Sequence, residues 1–330
     1  MVRCLKGGLL SSLGAFLIQA VTMVTVARAQ DNTISYTGLC GPTACCQSQE
    51  NEYVRLQDMM VLLVRQVALL QHALGADPDF YWDLSGGCSI TDRQRAPCTD
   101  MCSSNTIYAN VGLRPGRASG VLQTIPGPDG RHCAVSLTAS LKQSIDLGNF
   151  RATCISHHGL CGQTGFTVSV WLKIPKEANN GRVYLLSSGG QTGSARGFSV
   201  YATGNQYSYT PSNKFVLTVY LKHKDLAWRV DTSEVPDNTW FHLAFTWTRA
   251  LGTRVYVNGN LVGQGFGRPT GFSQNHGNTN LVLGRSNQKE QFHATAAFSN
   301  LKIFTRELTA SHIALLHEEI NAIGVGSRDF

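Results

Sequence analysis

The segment that most constrains the fold is residues 239–263, which combines two alternating strands and a tight turn in one short window. In its first half, Phe241, Leu243, Phe245 and Trp247 occupy every second position, so they share one face of a β-strand. A second strand follows and ends at Asn258-Gly259, a pair that favours a type I′ turn because both central residues need positive φ. The window therefore predicts antiparallel strands that bury one face in a β-sandwich.

The same window resembles the laminin-G-like, concanavalin A-like and pentraxin superfamily of jelly rolls, whose members carry a W-x-H-hydrophobic-x-x-x-W pattern followed by Y-V-N-G. Residues 165–173 are similar to the first long core strand of that family, residues 281–285 to its L-x-hydrophobic-G strand, and residues 301–309 to its closing strand. The resemblance covers residues 118–320 and implies an all-β fold, a two-sheet antiparallel jelly-roll sandwich. It also implies a short C-terminal helix through Ile313, Leu316 and Ile320.

The N-terminus has the features of a targeting segment. Arg3 and Lys6 precede a long uncharged run, and Ala27-Arg28-Ala29 forms an A-x-A cleavage site before Gln30. This arrangement predicts a signal peptide over residues 1–29 and a secreted, extracellular chain. The uncharged run is also long enough to span a bilayer, so a type II membrane anchor with an extracellular domain is the alternative.

Residues 51–75 predict a coiled-coil oligomerisation helix, because apolar residues alternate three and four positions apart. An amphipathic helix packed on the chain's own sandwich is the alternative. Cys45 and Cys46 lie just before this helix, in a Cys-containing segment over residues 30–50. Neighbouring cysteines bond to each other only with strain, so each favours a separate partner. The sequence therefore predicts a homo-oligomer with candidate interchain disulfides at Cys45 and Cys46, an arrangement similar to oligomeric thrombospondins and long pentraxins.

Further cysteines lie in and after a connector over residues 76–117, and a short tail is predicted over residues 321–330. The 10 cysteines of the chain suit an oxidising compartment. Spacing leaves the pairing of four of them open, because four cysteines allow three connectivities. These four are Cys88, Cys98, Cys102 and Cys133.

The segment from Cys154 to Cys161 contains two cysteines and the adjacent His157 and His158, which are four potential zinc ligands. An oxidising compartment favours an intrachain disulfide between Cys154 and Cys161 instead. Related extracellular jelly rolls often have such a C-x6-C loop before the G-F-T-V-S strand. This interpretation leaves the two histidines exposed on the disulfide loop.

Catalytic groups are not evident in the sequence. Glucanases of this fold use carboxylates spaced E-x-D-x-x-E or E-x-D-x-E, so that one carboxylate attacks while the other donates a proton. This chain has neither spacing, and nothing in it resembles a nucleophile elbow. We therefore expect no enzyme activity, with a carbohydrate hydrolase as the least favoured alternative.

Calcium (Ca2+) is the cofactor that the resemblance makes possible, because pentraxins and many laminin-G-like domains bind it through oxygen ligands at one edge of the sandwich. Ser299 stands where relatives commonly carry Asp, which weakens this expectation. Asp146, Asn275, Asn278 and Asn280 could still supply oxygens.

Positive charge is concentrated in the predicted sandwich. Residues 118–320 contain 18 Lys and Arg against 11 Asp and Glu, whereas residues 30–117 contain 6 against 9. Alternate residues of neighbouring strands share a face. A candidate basic ligand-binding face is therefore formed by Lys214, Lys222, His223, Lys224 and Arg229. A solvated, mildly basic sheet face is the alternative reading of the same residues.

These features together predict a secreted oligomeric recognition or matrix protein that binds glycans, sulfated glycans among them, or matrix partners. Several sandwiches in one oligomer would bind a polyanion with avidity, because the second contact is intramolecular. The alternative is a purely structural matrix component that binds other proteins. Nucleic acid is not an expected partner, since the chain is predicted to be extracellular and carries no reading motif.

Overall fold

The computed structural model describes residues 77–84, 106–107, 116–130, 132–176, 178–179, 181–189, 196–203, 216–270, 279–287 and 290–325. The predicted signal peptide, the Cys45-Cys46 segment and the coiled-coil helix lie outside these residues. Lys214, Asn275 and Asn278 also lie outside them.

The described residues form mainly β-strands, as the alternating sequence pattern predicts. One α-helix, α1 (Ala310–Val325), follows the last strand within the described residues and extends into the predicted tail. The strands are β1 (Phe80–Trp82), β2 (Thr106–Ile107), β3 (Gly116–Ser119), β4 (Gln123–Pro126), β5 (Cys133–Leu137), β6 (Ser144–Asn149), β7 (Phe166–Lys173), β8 (Arg182–Ser187), β9 (Gly197–Thr203), β10 (Val216–His223), β11 (Leu226–Glu234), β12 (Trp240–Thr248), β13 (Gly252–Val257), β14 (Asn260–Gly265), β15 (Arg268–Pro269), β16 (Asn280–Leu283) and β17 (Ala296–Phe304).

These strands form two antiparallel sheets. Sheet A has the order β14-β13-β12-β7-β17-β5-β4, with β1 paired to β17. Sheet B has the order β15-β11-β10-β9-β8-β16-β6-β3-β2. The sheets bury one apolar core between them, which confirms the predicted two-sheet antiparallel jelly-roll sandwich.

The window that predicted the sandwich forms β12, β13 and the hairpin into β14. Phe241, Leu243, Phe245 and Trp247 all lie in the core between the sheets. Asn258 and Gly259 have φ values of 49° and 77°, as a type I′ turn requires. The alternating pattern and the turn chemistry therefore agree with the structure.

The outer face of sheet A is covered by α1. A second apolar cluster joins the sheet to the helix, because Ile313 and Leu316 of α1 pack with Tyr256, Phe304 and Ala244. The predicted helical residues Ile313 and Leu316 are both buried. No helix in the described part of the chain is long and apolar enough to cross a membrane.

Part of the predicted connector belongs to the sandwich. Phe80 pairs with Ile303, and Trp82 is fully buried in the core. One edge of β17 is shared by two strands, because Ala296 to Phe298 pair with β5 and Leu301 to Ile303 pair with β1. The closing strand also begins at Ala296, which is earlier than the predicted start at residue 301.

Candidate functional site

The predicted basic face involves β10, β11 and the turn between them. Lys222 and His223 are successive residues of β10, so their side chains point to opposite faces of sheet B. Lys222 lies on the outer face but is only 1% exposed, and burial lowers the pKa of its ammonium group. His223 points to the inner side, where its ring lies 5.5 Å from that of His157. Strand alternation and burial therefore divide Lys222 and His223 of the predicted basic face between two sides of sheet B.

Two other predicted cations are exposed. Lys224 lies in the β10–β11 turn, where it adopts a positive φ of 52°. Arg229 lies on the outer face of sheet B opposite Tyr220, and its side chain is 60% exposed. Its Nε donates to both carboxylate oxygens of Asp231, at 3.0 and 3.1 Å. Arg229 therefore presents a positive charge that Asp231 partly neutralises.

A row of paired residues crosses the outer face of sheet B. Asp231, Thr218, Tyr201 and Tyr184 are successive partners on β11, β10, β9 and β8. Thr218 Oγ1 donates to Asp231 Oδ1 at 2.6 Å, and the rings of Tyr201 and Tyr184 lie 5.4 Å apart. Since directly opposed side chains on one sheet face are neighbours, the row is a continuous strip of polar and aromatic groups.

Arginines lie at both ends of this strip. The Arg182 guanidinium carbon lies 4.9 Å from the centre of the Tyr201 ring, a distance at which a cation and an aromatic face attract each other. Burial raises the pKa of Tyr184 and of Tyr220. Tyr184 and Tyr201 are buried, whereas Tyr220 is partly exposed and Arg182 and Arg229 are exposed. We call these five residues the tyrosine–arginine face.

The chemistry of the tyrosine–arginine face suits an acidic glycan. A guanidinium matches the geometry of a sulfate or carboxylate with two parallel hydrogen bonds. A phenol offers an apolar ring and a hydroxyl on one side chain, which fits the mixed surface of a sugar.

Sequence reasoning missed the tyrosines of this face, although a signal for them was present. Each tyrosine follows a buried valine, in Val183-Tyr184, Val200-Tyr201 and Val219-Tyr220. Alternation places the valine in the core and the tyrosine outside it. The repeated Val-Tyr pair in three strands could have predicted an aromatic outer face.

The described members of the predicted calcium set lie together on β6 and β16. Asn280 Nδ2 donates to Asp146 Oδ2 at 2.8 Å, and the Gly148 main-chain N donates to Asp146 Oδ1 at 2.8 Å. Ser299 is 2% exposed and accepts a hydrogen bond from Asn300 Nδ2 inside sheet A. No group of three or more His, Cys, Asp or Glu that could hold a metal occurs among the described residues.

The Cys154–Cys161 disulfide is present, with the two Cα atoms 4.7 Å apart, as predicted. Cys133 is disulfide-bonded as well. The expectation of two exposed loop histidines is wrong for His158, which is 1% exposed. Its Nδ1 lies 3.1 Å from the Cys154 carbonyl, and its ring packs 5.0 Å from that of Phe166. His158 is therefore held inside the sandwich by a main-chain contact and by aromatic packing.

A serine and a histidine meet under α1, where the sequence indicated no catalytic group. Ser169 Oγ and His242 Nε2 lie 2.8 Å apart, and the two residues are 2% and 0% exposed. Burial, with smaller contributions from His317 and Lys302, lowers the pKa of His242 to about 3. Because the pair is covered, a substrate cannot reach it, and its geometry fits a packing role.

A family model described as the concanavalin A-like lectin/glucanases superfamily matches residues 147–314. The chain is 32% identical over 171 residues to human (Homo sapiens) adhesion G-protein coupled receptor D1, an alignment that covers 51% of this chain and 18% of the receptor. It is 28% identical over 165 residues to the receptor of Bos taurus, covering 50% of this chain and 16% of that one. The chain thus spans less than a fifth of the length of these curated relatives.

Solved structures were also matched, at low identity. Domain 4 of AbnA, a GH43 extracellular arabinanase from Geobacillus stearothermophilus in complex with arabinotriose, is 17% identical with a TM-score of 0.42. That match covers 73% of this chain and 98% of the domain. The binding domain of botulinum neurotoxin DC in complex with rat synaptotagmin II is 15% identical with a TM-score of 0.46, covering 67% of this chain and 50% of the toxin domain.

Proposed function

Because the chain belongs to the concanavalin A-like lectin/glucanase superfamily, we propose that it is a secreted, non-enzymatic recognition protein that binds acidic glycans. The tyrosine–arginine face of sheet B carries this proposal. Its exposed guanidinium groups supply charge, and Tyr220 supplies an aromatic ring and a hydroxyl beside Arg229.

Charge and rigidity both support recognition at this face. Arg182 is held against the ring of Tyr201 and Arg229 against Asp231, so both guanidinium groups lose little conformational freedom when a ligand binds. Their flat sheet background is pre-formed by the pairing of β8, β9, β10 and β11. We expect weak binding at one face, because the contacts are few and solvent-exposed.

Oligomerisation is the second part of the proposal. Cys45 and Cys46 would link chains through the predicted coiled coil of residues 51–75, and linked faces would bind one long polyanion with avidity. On a non-reducing gel, Cys45→Ser with Cys46→Ser should lower the apparent mass of the purified protein. An unchanged mass would remove the covalent part of this proposal while leaving glycan binding untouched.

The extracellular setting is supported by the curated relatives, which are named as adhesion receptors. The predicted signal peptide over residues 1–29 places this chain in the same compartment, and the disulfides suit it. The matched segment covers a small part of each receptor, so the other functions of the receptors do not extend to this chain.

The experiment that tests the proposal measures binding of the purified secreted protein to immobilised heparin, desulfated heparin and a neutral glucan. We expect binding to heparin alone, weakening between low and moderate salt because salt screens exposed charges. Parallel measurements in calcium and in EDTA test whether Ca2+ takes part.

Matched variants assign the binding to the face. Arg182→Ala with Arg229→Ala should weaken heparin binding by about tenfold, as expected for two charge-assisted contacts. Arg151→Ala is the control, because Arg151 is exposed but lies in the loop after β6. Equal binding by both variants and the parent protein would contradict the assignment to this face.

A structural, protein-binding matrix role is the second candidate, and one observation favours it. β14 is the outermost strand of sheet A, and Leu261 on it is 54% exposed, with Phe266 just beyond it 63% exposed. An exposed edge strand with apolar side chains can pair with a strand of another protein. Matrix-protein binding that survives excess heparin but is lost in Leu261→Lys would favour this role.

A further inference from the structure

A small cleft lies at the end of the sandwich where the β10–β11 turn approaches the disulfide loop. Its volume is about 90 Å³, and its lining includes His158, His223, Lys224, Trp247 and Arg249. Pockets for whole drug-sized ligands are larger, at about 300–1,000 Å³. The cleft is therefore suited to one polar group of a larger molecule.

Three ring nitrogens around this cleft are buried without a hydrogen-bond partner in the described residues. They are His158 Nε2, His223 Nδ1 and Trp247 Nε1. Buried polar atoms almost always have a partner in native proteins, and an exception points to a water, an ion or a ligand. Three exceptions around one cleft indicate that a polar group completes it.

The hydrogen-bonding roles of these nitrogens are set by their surroundings. His158 Nδ1 donates to the Cys154 carbonyl, so Nε2 is left as an acceptor. The main chain of Gly197 lies near the same ring, but no hydrogen bond of normal geometry joins it to Nε2. Trp247 Nε1 can only donate. The cleft thus needs a partner that both donates and accepts.

The charges around the cleft are mainly positive. Lys224 and Arg249 are both exposed at its mouth, and Arg249 forms no ion pair within the described residues. Behind the cleft, Arg196 Nη1 lies 3.3 Å from His157 Nε2. Asp225 is the one carboxylate in the lining of the cleft. An anion is therefore the favoured guest.

We infer that this cleft binds the anionic group of an acidic saccharide, a carboxylate or a sulfate. Lys224 and Arg249 are the charge partners of this group. Trp247 Nε1 donates a hydrogen bond to this group, and His158 Nε2 accepts one from an adjacent sugar hydroxyl. Both nitrogens become accessible when the partly exposed His223 ring turns aside. This inference deepens the proposed glycan recognition and rests on it for the identity of the larger molecule.

The titration of His223 reports on the same site. Burial, followed by the positive surroundings of His158, Arg196, His157 and Lys224, lowers its pKa to about 4. Arg249 and Asp225 also face it across the cleft. A bound anion opposes the positive charges, so the pKa of His223 should rise when the ligand is present.

Gly159 keeps the mouth of the cleft open. A Cβ at this position would lie 3.0 Å from His223 Cε1 and 3.3 Å from His157 Nε2. These distances are tighter than normal packing, so Gly159→Ala would press against both rings. This substitution should weaken binding of the ligand without removing any charge from the cleft.

The experiment titrates the full secreted chain with sodium glucuronate, glucose 6-sulfate and methyl glucoside, followed by NMR signals of the histidine rings. We expect the two acidic sugars to shift the His223 signal and raise its pKa, whereas neutral methyl glucoside does not. Lys224→Gly with Arg249→Ala should lower the affinity for both acidic sugars by about tenfold. Glycine suits the positive φ of residue 224, which limits strain in the variant.

The control is Arg268→Ala, which removes an exposed cation on β15 outside the lining of the cleft. The inference is overturned if methyl glucoside binds as tightly as the acidic sugars. It is also overturned if Arg268→Ala loses as much binding as the double variant. Binding to heparin without any response to the acidic sugars overturns the cleft and leaves the proposed function standing. A response to the acidic sugars without heparin binding supports the cleft and removes the proposed heparin binding at the tyrosine–arginine face. Binding of one acidic sugar alone identifies carboxylate or sulfate as the group recognised.

Discussion

The two outer faces of the sandwich carry the same sequence pair and use it differently. Val255-Tyr256 of β13 places its tyrosine on the outer face of sheet A, where α1 covers it and leaves it 1% exposed. Val219-Tyr220 of β10 places its tyrosine on the outer face of sheet B, where it stays partly exposed beside Arg229. A local pattern therefore selects the face of a side chain, whereas the element packed on that face decides whether the residue stabilises the fold or meets a ligand.

The neighbours of each tyrosine agree with this difference. Tyr256 belongs to an apolar cluster with Ala244, Phe304 and Ile313. Tyr220 lies among charged or polar residues, with Arg229 opposite it and Asp231 two pairs along the strand on the same face. We therefore expect substitutions on the outer face of sheet A to change stability. Substitutions at exposed positions on the outer face of sheet B should change binding.

The largest effect should come from the covered face. Phe304→Ala removes a fully buried ring beneath α1, and such truncations lower the free energy of unfolding by about 3–5 kcal/mol. Urea denaturation followed by tryptophan fluorescence measures this loss. Heparin affinity per folded molecule should stay the same. A loss below about 1 kcal/mol would mean that α1 contributes little to holding this face.

The second-largest effect should come from the disulfide loop at the end of the sandwich. Cys154→Ser with Cys161→Ser opens a loop with a sequence separation of 7, which by chain entropy costs about 2 kcal/mol. The same denaturation experiment measures the change. The reduced parent protein is the control, and it should lose about as much as the double variant or more, since Cys133 is also bonded. A stable double variant would show that packing around His158 alone holds this loop.

Acid should lower the stability of the fold through the buried histidines rather than through the exposed face of sheet B. Burial is the main cause that lowers the pKa of His242 to about 3 and of His158 to about 4, below the usual value of 6.5. The unfolded chain therefore takes up protons that the folded chain excludes, so stability is complete above pH 6.5 and falls as the pH drops towards 4. Each histidine contributes up to about 1.4 kcal/mol per pH unit in this window.

A variant separates the two histidines. The slope of the unfolding free energy against pH counts the protons taken up on unfolding. Between pH 6.5 and 5, His242→Gln should lower this number by about one. Ser169→Ala is the control, because it removes the hydrogen-bond partner of His242 and leaves the buried imidazole in place, so most of the slope should remain. An unchanged slope in His242→Gln would show that another group controls acid unfolding.

Much of the fold could be predicted from the sequence, because alternation and turn chemistry are local. Phe241 to Trp247, the Asn258-Gly259 turn and the Cys154–Cys161 disulfide all appear as predicted. The order of strands within a sheet is not local, and neither is the pairing of β1 with β17. The tyrosine–arginine face across β8 to β11 depends on that order, so it could not be assembled from spacing alone.

The candidate site was predicted only in part for the same reason. Lys222 and His223 were assigned to one basic face because they lie on or beside two candidate neighbouring strands. The structure separates them by strand alternation and buries Lys222. Polar character indicates a preference for the surface, but it carries no information about which loops and strands cover a position. His158 was predicted to be exposed because it lies on a short disulfide loop, but this loop packs inward and buries the ring.

The smallest expected effect on stability gives the sharpest test of the open face. Asp231→Asn removes the carboxylate that holds Arg229 but keeps an oxygen that can accept the hydrogen bond from Thr218 Oγ1. Both members of the Arg229–Asp231 pair are about half exposed, at 60% and 46% of their side chains, and exposed pairs contribute about 0–1 kcal/mol. Unfolding free energy should therefore change by less than about 1 kcal/mol.

Binding should change in the opposite direction to that of an ordinary damaging substitution. Without Asp231, the charge of Arg229 is no longer neutralised, so heparin should bind about two- to threefold more tightly at low salt, and the gain should shrink as salt is added. Glu290→Gln is the control, because it removes an exposed carboxylate outside β8 to β11. A gain equal to that of the control would mean that only net charge matters. Weaker binding would mean that Arg229 needs Asp231 to hold its orientation, so that the ion pair is part of the recognition surface rather than a brake on it.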